Sequence, residues 1–128
     1  MLKDILDNNE NYQPGLSIDC VIFGFHDNQL KVLLIKVERA NKWSLPGGFI
    51  PVDQDIDTAA ITVLNGRTGV DGVFLRQFAT FGKVNRNKQH FDKKALEYLQ
   101  IEEEKGKWLT RRFVTIGYYA LVDFSKIL

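Results

Sequence analysis

Residues 47–70 read GGFIPVDQDIDTAAITVLNGRTGV. A Gly47-Gly48 turn leads through a polar loop into a helical pattern that stops at a glycine. Ala59, Ala60, Val63 and Leu64 recur at helical spacing on one face, which predicts a helix from about Asp57 to Thr68. Asp57 can cap its start and Gly69 can end it. Gly66 weakens the last turn by about 1 kcal/mol relative to Ala. The helix contains no glutamate.

Working outward, GLSIDCVIFGFHDNQLKVLLIKV (15–37) alternates β-branched and aromatic residues around an Asp27-Asn28-Gln29 turn. It reads as a hairpin or as two adjacent strands, apolar over runs long enough for a sheet covered on both faces. Residues 1–14 are polar and end at Pro14-Gly15, as a frayed or weakly helical leader would. Phe74 to Val84 and Arg112 to Phe124 read as strands. HFDKKALEYLQIEEE (90–104) contains a second helix, with Phe91, Ala95, Leu96 and Leu99 as its apolar stripe. Strands, helix, strand, helix, strand make one mixed α/β layer structure over residues 15–128.

The 128 residues suffice for one core. A formal net charge of +1 supplies no field that would gather nucleic acid or an anionic membrane. Cys20 is the single cysteine, which excludes an internal disulfide and a cysteine-rich zinc site. His26 and His90 stand apart from any ligand cluster, so both read as ordinary. Apolar runs are strand-sized, and Met1-Leu2-Lys3-Asp4 does not open a signal peptide. A cytoplasmic protein without membrane contact is the expectation.

The segment WSLPGGFI (43–50), the loop, helix and glycine after it, and the order of elements resemble the Nudix domain. That family's box can be written G-x5-E-x7-R-E-U-x-E-E-x-G-U, with U a bulky apolar residue. From Gly48 the spacing fits without a gap. Gln54 stands at the first glutamate, Thr62 at the arginine, Val63 at the next glutamate, and Gly66 and Arg67 at the glutamate pair. The resemblance implies an α/β/α sandwich around a mixed sheet. It also implies a helix face that holds Mg²⁺ or Mn²⁺ in the enzymes, ions that need charged oxygen ligands. Here every position with chemistry is replaced, so neither a catalytic residue, nor a metal site, nor a cofactor is expected. Asp53, Asp55 and Asp57 are the nearest remaining carboxylates, and helix capping and the helix dipole already account for an acidic loop there.

The chain also resembles the sensor domain of Nudix-related bacterial transcription regulators. The opening strands, FLRQFATFGKVNRN (74–87) and FVTIGYYALVDF (113–124) carry that likeness, while Lys88 to Arg111 departs from it. The resemblance implies ligand-binding positions at Trp43, Gly47, Gly48, Phe49 and Arg86, with Trp43 and Phe49 offering stacking faces and Arg86 a fork of donors. Gly47 and Gly48 read equally as a tight turn, Trp43 as a core aromatic, and Arg86 as a solvated loop charge. The basic stretch from Lys83 to Arg112 is interrupted by Glu97 and by Glu102-Glu103-Glu104, as on a salt-bridged solvated face.

Two readings follow. One is an inactive sensor for a small molecule, a sugar or nucleotide, touching DNA only through a winged helix absent from these residues. The other is a hydrolase of nucleoside diphosphate derivatives such as ADP-ribose that uses carboxylates outside the box. The lost metal site favours a neutral sugar by subtraction. A protein-interaction module is a weaker third reading, because no exposed apolar stripe stands out. A homodimer is left open.

Overall fold

The computed structural model describes residues 2–37, 42–85 and 102–124. Its sheet is built on β1 (Tyr12–His26), fifteen residues long and flanked on both sides. Along one side β1 pairs antiparallel with β5 (Gly47–Pro51) and, further on, with β2 (Gln29–Val32). Along the other it runs parallel to β7 (Val114–Asp123), from Leu16 opposite Val114 to Phe25 opposite Asp123. β6 (Arg76–Phe81) closes that edge antiparallel to β7, with a register irregularity at Phe78. The sheet is mixed, as expected. β3 (Ile35–Val37) and β4 (Lys42–Ser44) form a separate two-stranded ribbon.

Asp27 and Asn28 both take positive φ, 53° and 61°, between the paired His26 and Gln29. Two such residues twist a hairpin in the sense its strands require, and Asn and Asp tolerate that conformation best among non-glycine residues. The strand expected over 30–37 is divided: β2 ends at Val32, and Ile35 starts the ribbon.

Alternation along β1 and β7 sorts the core. Ile18, Cys20 and Ile22, with Ile116, Tyr118 and Ala120, face α2 (Ile56–Thr68) and meet Ala59, Ala60 and Leu64. The helix keeps the expected bounds within a residue. Gly69 ends it in the left-handed conformation (φ 75°), and its N–H returns to the Asn65 carbonyl at 2.7 Å. Asp57 lies inside the first turn and is not the cap. That position belongs to Asp55, whose carbonyl accepts from the Ala59 N–H at 2.8 Å.

On the opposite face a second cluster sits at one end of the sheet. α1 (Leu2–Asp7) sends Leu6 against Trp108 and Leu109 of α3 (Glu103–Thr110), with Phe113 beside them. The first residues, expected as a leader, are therefore packed through Leu6, which is 3% exposed. Pro14-Gly15 falls inside β1, where the register shifts and Gly15 takes φ 73°. At the other end of that face the described residues place no helix over the sheet. Phe25 and Leu121 lie 60% and 66% exposed there. The helix expected over 90–104 lies outside the described residues up to 101.

Candidate functional site

β5 crosses the front of α2, and its two glycines set the contact. A Cβ on Gly48 would stand 3.1 Å from the Val63 Cγ2 atom. One on Gly47 would fall on the Asp19 carboxylate and 3.0 Å from the Ile18 carbonyl. Both glycines thus allow a close approach of strand to helix and of strand to strand, which any side chain would block.

Arg67 reaches back across this junction. Its Nε donates to the Gly47 carbonyl at 2.8 Å, from a half-buried position near the end of α2. Burial lowers its pKa from the ordinary value, yet a guanidinium stays protonated at neutral pH. A fixed positive charge therefore occupies a glutamate position of the box and is bonded to the strand that carries the glycines. Among the described residues no carboxylate is paired with it.

These residues do not fit a divalent ion. Val63 is buried and apolar, Gly66 has no side chain, and Arg67 is cationic. Among the described residues no three His, Cys, Asp or Glu side chains converge on one point. Asp53 and Asp55 are exposed, and the Asp57 carboxylate accepts the hydroxyl of Tyr118. Burial first, and then Asp57, raise the Tyr118 pKa. Cys20 is inert for a similar reason: burial, helped by Asp19, pushes its thiol up to about 12.

A cleft of about 610 Å³ opens at the start of α2, between that helix and the first part of β1. Leu16, Ile50 and Ile56 give it an apolar lining; Gln13, Gln54, Asp55 and Asp57 supply polar groups. The Gln54 Oε1 atom is buried there without a hydrogen-bond partner among the described residues. An orphaned acceptor of this kind is costly unless something donates to it. Gln54 is the residue at the first glutamate of the box, and it and the nearby Asp55 and Asp57 are the sequence signals that pointed here. Gln13, Leu16 and Ile56 carried none, because their convergence depends on how α2 docks.

Of the rim residues expected from the family resemblance, the described ones lie on two elements, Trp43 on β4 and Gly47, Gly48 and Phe49 on β5. Trp43 stands on the ribbon, 64% exposed, and borders a separate apolar recess of about 390 Å³ with Leu33, Leu34 and Phe124. Phe49 points into the second core cluster, edge-on to Trp108 at 4.9 Å and tilted against Phe113 at 5.7 Å. Gly47 and Gly48 lie at the junction with α2. Arg86 and His90 lie outside the described residues, as do Lys88, Lys93 and Lys94 of the basic stretch. Lys107 pairs with Glu104 at 2.8 Å, and Arg112 donates to the Gly82 carbonyl at 2.6 Å. No helix among the described residues is long and apolar enough to cross a membrane.

A mixed sheet with α2 docked on it behind a Gly-Gly strand is the Nudix fold, and the chain resembles the ligand-sensing domains of Nudix-related regulators. It is 28% identical over 117 residues to the ADPR responsive transcriptional repressor NtrR of Acinetobacter baylyi, covering 88% of this chain and 38% of the repressor. It matches the crystal structure of Shewanella oneidensis NrtR with a TM-score of 0.61 and 30% identity, over 90% of this chain and 46% of that one. The NUDIX domain of the same protein, crystallised with ADP ribose, matches with a TM-score of 0.57 and 27% identity, over 96% of this chain and 71% of that one. The chain thus spans less than half the length of the repressor and of full NrtR. No family model matches it.

Proposed function

We propose that this chain is the ligand-sensing domain of a transcription regulator, and that it binds ADP-ribose or a close nucleoside diphosphate sugar without hydrolysing it. The observation that carries the reading is the Arg67 bond to the Gly47 carbonyl. A guanidinium in a carboxylate position expels a metal ion by charge, and with it the Lewis acid that hydrolysis of a diphosphate needs. It leaves a cation beside the junction, which suits an anionic ligand better than the neutral sugar favoured by subtraction alone. ADP ribose in the crystallised NrtR domain supports the same choice. The acceptors of the cleft, Gln54 Oε1 and the Asp55 carboxylate, are complementary to sugar hydroxyls.

Calorimetric titration with ADP-ribose, in Mg²⁺ and in chelator, tests this together with product analysis of the same samples. Binding of equal strength in both, with the ligand recovered intact, is the expected result. Metal-dependent release of AMP would instead make the chain a hydrolase with an ion site rebuilt from the loop aspartates. Trp43→Ala and Gln54→Ala, titrated in parallel, separate a rim at β4 from the cleft at α2.

A further inference from the structure

Arg67 has one bond and a free edge. Its Nε is spent on the Gly47 carbonyl, and among the described residues its guanidinium makes no other hydrogen bond and no ion pair. A guanidinium carries five N–H donors in one plane. With Nε fixed, Nη1 and Nη2 keep the edge that matches two oxygens of a phosphate. There is room beside it. Gly47, Gly48 and Gly66 bring no side chain to the junction, and no described atom stands within 4 Å of the place a Gly66 Cβ would take.

The carboxylates near this junction do not neutralise the charge. Asp19 fills the place of a Gly47 side chain, on the face of β1 turned away from α2, since Ile18 and Cys20 on either side of it pack towards that helix. Asp57 stands at the far end of α2, and the helix between it and Arg67 is about 15 Å long, beyond a Debye length of about 8 Å at physiological salt. Burial alone lowers the Arg67 pKa, with no carboxylate to oppose it. A half-buried cation of this kind is stabilised by an anion that comes from outside.

We infer that Arg67 takes the place of the metal ion: its Nη edge binds the ligand's diphosphate directly, held in aim by the Gly47 carbonyl. The inference rests on the reading of the chain as a sensor of a nucleoside diphosphate sugar, and it assigns a contact which that reading leaves open. A fixed guanidinium supplies one positive charge and two directed hydrogen bonds. It brings no activated water and no Lewis acid, so binding is separated from cleavage. The cleft at the start of α2 does not compete for the diphosphate, because Asp55 and Asp57 repel it. Its acceptors are left for hydroxyls.

The test is calorimetric titration of the full 128-residue chain, in chelator, with ADP-ribose and with inorganic pyrophosphate. The wild type should bind both. Arg67→Gln should weaken both by about ten-fold or more, the loss of a charge-assisted pair. Arg67→Lys keeps the charge and loses the fork, and should fall between. Arg76→Gln removes the same charge from β6, at the sheet edge opposite β5, and should change neither affinity. Pyrophosphate should also protect Arg67 of the wild type, and not Arg76, from phenylglyoxal, which attacks paired Nη atoms; mass mapping reads this without any variant having to fold. ADP-ribose bound equally well by folded Arg67→Gln, or Arg67 left unprotected, would overturn the inference and leave the proposed function standing. Pyrophosphate held through Arg67 by a chain that ignores ADP-ribose would do the reverse. A chain that binds neither overturns both.

Discussion

The Arg67 guanidinium donates to the Gly47 carbonyl from a half-buried position, so truncation removes both a charge-assisted hydrogen bond and the packing of the stem. Arg67→Ala should lower unfolding free energy by about 1.5–3 kcal/mol, read from urea denaturation. In Gln54 the same economy runs the other way, since its Oε1 acceptor is unmet among the described residues. Gln54→Ala should leave stability nearly unchanged and weaken ADP-ribose binding by about 0.5–1.5 kcal/mol in a calorimetric titration. Cys20 gives the molecule an alkaline limit. Its thiol is held neutral by burial, so its folded pKa of about 12 exceeds the ordinary 9.0. A group raised in the folded state contributes stability in full below its unfolded pKa, and that contribution is lost as pH rises through the folded value. The urea midpoint should therefore fall as pH rises from about 9 towards 12, and the fall should be smaller in Cys20→Ala. The Tyr118 hydroxyl, raised for the same cause and by Asp57, acts in the same direction.

In α2 two glycines one turn apart have opposite roles. Gly66 is exposed, and a Cβ added there meets nothing within 4 Å. Gly66→Ala should stabilise the chain by about 0.5–1 kcal/mol, while Gly69→Ala, at φ 75°, should destabilise it by a similar amount; thermal melts distinguish them. This helix was legible in the sequence because its buried stripe and its glycine stop are local signals. The hairpin turn was legible for the same reason. The role of Phe49 was not: a strand pattern places it on one face but cannot say that Trp108 and Phe113, about sixty residues on, wait there. α3 escaped notice because Gly106 and a run of charges hide its short stripe of Trp108 and Leu109. Of the site, the box register identified the positions at which Arg67 and Gln54 stand, and the loss of carboxylates with them. The bond of Arg67 to a strand carbonyl depends on the docking of α2 against β5, which no spacing along the chain encodes.

Across the whole molecule, the cleft proposed for the ligand lies on the α2 side of the sheet. Millimolar Mg²⁺ should leave the melting temperature unchanged, because no ligand set for it converges among the described residues. ADP-ribose should raise it, as any molecule that binds only the folded state must. The position of β1 has a further consequence, which concerns the order in which the protein is made. β1 is synthesised before β7, yet Leu16 to Phe25 are paired along one side with β7, whose residues come about a hundred positions later. Contacts of such long range are slow to close. The chain must therefore wait, with β1 unpaired along that side, until Asp123 has been synthesised, and a nascent chain stopped before Val114 should be digested by protease where the finished one resists.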